Sequence, residues 1–171
     1  MKIFYKIKEI LLSYFPLILL YFLSFNSFEL LKEFHNLIIF SFDLQMILIY
    51  FYVLKYPDEL TPGHIFIAGI INDNVKGIPL GTSSLSYLVL SFFTSYIRNA
   101  TIRAKMLVEW ATFIPALFLA NFVYFIIINN FSNLSFYYFE LLRNSFFTFL
   151  FFPIFYYLFN FLLKSNSKIK D

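Results

Sequence analysis

Apolar residues run along this chain in blocks close to membrane-crossing length, broken by short polar interruptions. The blocks cover residues 10–26, 37–54, 62–76, 82–97, 107–128 and 144–163. A helix needs about 20 apolar residues to cross roughly 30 Å of hydrocarbon, and most of these blocks approach that length. They do not alternate polar and apolar positions as the strands of a membrane barrel would. The pattern therefore predicts an all-α polytopic membrane protein with about six transmembrane helices, forming one membrane domain over residues 1–171.

The first block follows a basic start with Lys2, Lys6 and Lys8. It lacks a small-residue cleavage site, so it reads as a retained helix rather than a signal peptide, with Pro16 as a kink. In the second block Asn36, Asp43 and Tyr50 are seven residues apart. That spacing keeps them close to one helix face, which should meet protein rather than lipid. The third block is short. Thr61 is placed to cap it, Pro62 to open it, and Gly77 with Pro79 to stop it. A helix over 62–76 is only about 22 Å long, so it should be tilted or partly re-entrant and covered by other helices. Ile78–Gly81 fits a type I turn, with Pro second and Gly fourth. In the fourth block Ser84, Ser91 and Ser95 form a small-residue seam suited to close helix approach. The fifth carries Trp110, Pro115 and Asn121, and the sixth carries Pro153.

Composition supports the membrane class. The chain is 60% hydrophobic, 24% aromatic and only 13% charged, against about 25% charged in soluble domains, and its mean hydropathy is +0.74. Charge then orients it. With both termini cytoplasmic, the inner side receives Lys2, Lys6, Lys8, Lys55, Arg98, Arg103, Lys105, Lys164, Lys168 and Lys170; the outer side receives Lys32, Lys76 and Arg143. This is a positive-inside bias, and it accounts for the net charge of +3 without a nucleic-acid partner.

Candidate chemistry is sparse. The absence of cysteine removes disulfides and thiolate sites. His35 and His64 fall near block ends, outside any catalytic motif. Asp43 and Asp73 are acids within or beside apolar runs, where a carboxylate costs about 2.5–3.5 kcal/mol unless paired, hydrated or protonated. They read either as contacts to an ion or substrate, or as structural hydrogen-bonding groups. Gly69, Asn72, Asp73 and Lys76 share a helix face, so a pair between Asp73 and Lys76 or Arg143 is one structural option. No cofactor is implied.

All four glycines and three of the six prolines fall between Tyr56 and Ser84. The residues Pro57, Pro62-Gly63, Gly69-Ile70-Ile71-Asn72-Asp73 and Gly77-Ile78-Pro79-Leu80-Gly81 resemble the signature region of MreD, the bacterial rod-shape-determining membrane protein family. The chain's size, the lead-in from Asp43 and Tyr50 to Lys55-Tyr56-Pro57, and the basic loop before Trp110 agree with it. The Asn72 and Asn74 positions depart from it. The resemblance implies a non-catalytic inner-membrane scaffold of the cell-elongation machinery. It would associate with MreC, and through it with MreB filaments, RodA and a class B penicillin-binding transpeptidase, directing lateral peptidoglycan synthesis. It also implies a fold similar to that of the substrate-binding components of energy-coupling-factor transporters. A vitamin-capturing subunit, with a pocket around Asp43 and Asp73, is the rival expectation. The first block lacks the small-x-x-x-small pair with which those components dock.

Overall fold

The computed structural model describes residues 14–25, 42–100, 105–131 and 138–167, and every regular element within them is helical. In chain order these are α1 (Phe15–Phe25), α2 (Leu44–Lys55), α3 (Pro62–Lys76), α4 (Thr82–Ala100), α5 (Met106–Phe131) and α6 (Tyr138–Ser167). Among the described residues two stretches are long and apolar enough to cross a membrane: Met106–Phe131, with 26 residues, and Phe139–Leu163, with 25. At 1.5 Å per residue each covers about 37–39 Å. α1 and α2 are apolar but have 11 and 12 residues. Lys2, Lys6, Lys8, Lys32, His35, Asn36, Arg103, Lys168 and Lys170 lie outside the described residues.

α2 is the axis of the bundle. Nine consecutive residues, Gln45 to Val53, are buried. A helix buried around its whole circumference is a core helix, and α1, α4 and α6 pack around this one. Much of the contact is aromatic. Tyr50 meets Phe113 of α5 and Phe152 of α6 at centroid distances of 4.7 and 5.5 Å, and Phe51 meets Tyr156 and Phe159 of α6 at 5.5 and 5.3 Å. Such offset pairs add about 0.5–1.5 kcal/mol beyond their buried area.

Two expectations about helix starts are corrected. Asp43 is not an interior residue of the second helix; it is the N-cap of α2, with extended backbone, and its side chain accepts the Met46 N–H at 3.0 Å. A short carboxylate at this position satisfies one of the unpaired amides of the first turn, which is why the helix begins there. Asp43 and Tyr50 therefore do not share a helical stripe. Pro16 does not kink α1 either. It lies at the second residue of a helix starting at Phe15, where an amide proton would have no intrahelical partner.

Pro153, by contrast, does sit inside α6. It leaves the Phe149 carbonyl without its helical donor, and the Trp110 indole N–H supplies one at 3.0 Å while stacking on the Phe149 ring. The Trp110→Phe substitution keeps the stacking and should cost about 1–2 kcal/mol. In a Pro153→Ala background the restored backbone amide meets that carbonyl, and the cost of Trp110→Phe should fall below half. A double-mutant cycle on thermal unfolding in detergent measures the difference, and equal costs in the two backgrounds would contradict the assignment.

Candidate functional site: the α3–α4 hairpin and its polar cluster

The hairpin begins in the loop after α2. Pro57 occupies the second position of a turn closed by the Glu59 N–H on the Tyr56 carbonyl at 3.1 Å, the position its fixed φ suits. Thr61 and Pro62 then start α3. Thr61 has the extended backbone of an N-cap, but its hydroxyl makes no capping bond, so the helix start rests on Pro62 and on the Thr61 carbonyl, which accepts from His64 and Ile65. The His64 ring lies against α1, its Nδ1 2.9 Å from the Tyr21 hydroxyl.

α3 ends in a Schellman motif. Gly77 is left-handed at φ +64° and ψ 29°. Its N–H reaches the Asn74 carbonyl at 3.3 Å, and the Ile78 N–H reaches that of Asp73 at 3.1 Å. These two bonds satisfy carbonyls that the helix end would otherwise orphan. The next turn differs from the expected type I turn at Ile78–Gly81. It is closed one residue later, by the Thr82 N–H on the Pro79 carbonyl at 3.2 Å, with Gly81 at φ +98° in its third position. A positive φ at that place belongs to type II geometry and calls for glycine. Proline therefore opens the turn at its first corner, and Leu80 stands 70% exposed at its tip.

Asp73 closes the hairpin. The residue is wholly buried, and its two carboxylate oxygens accept the Gly81 and Ser83 N–H groups, each at 2.8 Å. Those amides belong to Gly81, which flanks the start of α4, and to Ser83 in its first turn, and the helix has no partners of its own for them. A carboxylate there is also favoured by the positive end of the helix dipole. An acid on one helix thus caps the next. This replaces the expected pairing with Lys76 or Arg143: among the described residues the ion pair found is Lys55–Glu109, at the far end of the bundle.

Gly69 sets how closely the two helices approach. A Cβ built on it would lie 2.4 Å from the Ser84 Cα and 2.6 Å from the Ser84 nitrogen, both backbone atoms. The Ser84 hydroxyl donates to the Phe66 carbonyl at 3.0 Å across the same crossing. Gly63, at the start of α3, has nothing within 4 Å of such an atom. The buried small-residue face of α4 is broader than the serine seam read from spacing: it comprises Thr82, Ser83, Ser84, Ser86, Ser91 and Thr94, while Ser95 is half-buried.

A polar chain crosses the core beside Asp73. Asn72 Nδ2 donates to the Ser83 hydroxyl at 3.0 Å and to the Tyr87 hydroxyl at 3.2 Å. Tyr87 donates to Gln45 Oε1 at 2.7 Å, Gln45 Nε2 to the Ser24 hydroxyl at 2.8 Å, and Ser24 to the Leu20 carbonyl at 2.9 Å. All five side chains are buried. The links join α1, α2, α3 and α4, so the hairpin is tied to the axis. Asp43 belongs to the same neighbourhood. It faces Tyr87, and its own N–H donates to Thr148 of α6 at 2.8 Å.

At the opposite end Lys55 pairs with the buried Glu109, and Arg98 donates to the Val53 carbonyl at 2.9 Å. Tyr50, singled out by spacing, lies here. Its hydroxyl donates to the Glu109 carbonyl at 2.8 Å, with Thr112 at the same distance. The structure therefore separates Tyr50 from the Asp43–Asp73 region. Tyr87, Gln45, Ser24 and Glu109 were not singled out by sequence. Of these Gln45 carried a signal as a polar interruption of the second apolar block, and Glu109 as an acid directly beside Trp110 after a basic loop. Among the described residues no three His, Cys, Asp or Glu side chains are grouped to hold a metal ion. Comparison with family models, curated proteins and solved structures gives no match to this chain.

Proposed function

We propose that the chain is a non-catalytic, multi-pass membrane scaffold, crossing the bilayer about six times. Its type is that of MreD, acting with MreC in the bacterial inner membrane to direct lateral peptidoglycan synthesis and maintain rod shape. The observation that carries this reading is the use made of the motif residues. Pro57 sets a turn, Pro62 starts α3, Gly69 admits the α4 backbone, Asp73 caps α4, and Gly77 and Gly81 take left-handed backbone. A motif spent on backbone geometry suits a part that presents a fixed surface to partners better than one that turns over a substrate. Leu80, exposed at the tip, is the motif's outward feature.

The test is complementation of a depleted strain. Wild-type protein should restore rod shape. Gly81→Leu should not, because a side chain at φ +98° costs about 1–2 kcal/mol and displaces the turn. Full rescue by Gly81→Leu, at wild-type protein level, would overturn the motif's role.

The rival reading, a small-molecule capture subunit, draws on Asn72, whose Oδ1 is buried without a partner. Cells lacking the protein would then keep their shape and instead lose uptake of a vitamin-like compound.

A further inference from the structure

α3 is short, and both of its ends are fixed. It begins at Pro62 and ends at Lys76, so at 1.5 Å per residue it rises about 22 Å, and less if it is tilted. The hydrocarbon layer of a bilayer is about 30 Å thick. Long side chains can bridge part of such a gap by snorkelling, but backbone cannot. Past the helix end, the carbonyls of Lys76, Gly77 and Ile78 meet no donor among the described residues, and Gly77 and Leu80 are exposed. Before the helix start, Pro57, Asp58 and Thr61 are exposed as well. Irregular backbone facing lipid is not tolerated in hydrocarbon. Both ends of α3 must therefore stand where water or headgroups reach them.

Neighbouring helices hide this shortfall on one side only. α1 and α4 pack on α3, whose buried residues are Ile65, Ala68, Gly69, Asn72 and Asp73. The rest of the helix is open, with Gly63, Phe66, Ile67, Asn74 and Val75 exposed. Polar groups return early on this open side, at Asn74 and at the exposed Lys76. α2 is also short, but it is buried from Gln45 to Val53, so lipid does not meet its length. α5 is different. It has 26 residues and exposes Ile114, Phe118 and Phe122 along its middle. The molecule thus presents lipid with a low wall at α3 and a high wall at α5.

We propose that the bilayer is thinned beside α3 to about 22 Å, with lipid headgroups drawn down onto Asn74, Lys76 and the Gly77–Gly81 turn. Thinning is a modest-cost response of a bilayer to a short apolar stretch. Headgroup phosphates suit this place, because the Lys76 ammonium has no ion pair among the described residues and a phosphate oxygen is a strong acceptor for it. Leu80 then lies in the headgroup layer. The inference rests on the membrane-crossing part of the proposed function and needs no elongation partner.

The test uses the full chain in vesicles of phosphatidylethanolamine and phosphatidylglycerol with eighteen-carbon chains. The chain has no cysteine, so Thr61→Cys, Val75→Cys and Phe118→Cys each accept one bimane fluorophore. All three positions are exposed, and the Thr61 hydroxyl makes no capping bond, so the variants should fold. Quenching is compared between lipids carrying a nitroxide on the headgroup and lipids carrying it at the acyl-chain end. Labels at Thr61 and Val75 should both lose most of their fluorescence to the headgroup nitroxide and little to the chain-end one. The label at Phe118 should show the reverse. Stronger chain-end quenching at either Thr61 or Val75 would overturn the proposal. So would quenching of Val75 by neither lipid, which would mean a water-filled crevice or a second protein on that face. A Phe118 label reached by neither nitroxide would overturn the membrane-crossing reading as well.

Discussion

Gly69→Ala should destabilise this protein by about 3 kcal/mol or more, although it adds one methyl group. Overpacking a flexible core costs about 1–3 kcal/mol because neighbouring side chains can yield. Here the new carbon would stand 2.4 Å from the Ser84 Cα, and backbone atoms within a helix cannot step aside. Relief requires α3 and α4 to separate, which also breaks the Ser84–Phe66 bond and strains the Asp73 cap. The same substitution at Gly63 is the control. Nothing lies within 4 Å of its Cβ position, and alanine is the better helix former by up to about 1 kcal/mol, so Gly63→Ala should be neutral or mildly stabilising. Thermal unfolding of both variants in one detergent measures the contrast. Similar melting temperatures for the two would show that the helices do not cross at Gly69.

Asp73→Leu is the second large effect, expected at about 3–5 kcal/mol. It strips the Gly81 and Ser83 amides of their acceptor in a buried place, and each unmet donor costs about 1–3 kcal/mol. Asp73→Asn should cost about 1–3 kcal/mol. Its carbonyl keeps one bond while its NH2 group faces the other amide, and the charge favoured at the start of α4 is lost. The order of stability should be wild type, Asn, Leu. Equal loss in both variants would mean that the charge, rather than the pair of hydrogen bonds, is what the hairpin needs.

How much of this was legible depends on where the cause of each feature lies. The ends of α3 are local, written as Thr61-Pro62 and Gly77, and the structure has its helix from Pro62 to Lys76. The membrane-type composition is likewise a property of the chain alone, and α5 and α6 carry it at crossing length. Asp43 was misplaced because the apolar residues before it, from 37 onward, extended the hydrophobic pattern past the helix start. A cap depends on one hydrogen bond, to Met46, that periodicity does not encode. The turn was set one residue early because Pro-Leu-Gly fits two turn types, and only the positive φ of Gly81 separates them. Asp73 as a cap for a different helix, and Trp110 as the donor for the carbonyl that Pro153 frees, are tertiary facts. No local pattern contains them. The polar chain from Leu20 to Asn72 joins four helices through single Ser, Gln, Tyr and Asn residues, and no segment by itself shows that they meet.

α2 shows the same division. Its sequence, LQMILIYFYVLK, reads as another apolar span, yet nine of its residues in a row are buried. α1, α4 and α6 are built around it rather than beside it. The aromatic ladder from Tyr50 to Phe159 is a consequence of that central place, and it gives Phe51, Phe152 and Phe159 a packing role.

The central claim is that the Tyr56–Ser84 hairpin fixes a membrane scaffold for the elongation machinery. It is tested most directly by co-purification. The full-length tagged chain is extracted from native membranes in mild detergent, alongside Gly69→Leu as the variant whose hairpin cannot close, and the bound proteins are identified. The account predicts MreC bound to the wild type and lost from the variant. A wild-type chain that recovers only a transporter ATPase complex, with no MreC, would contradict it.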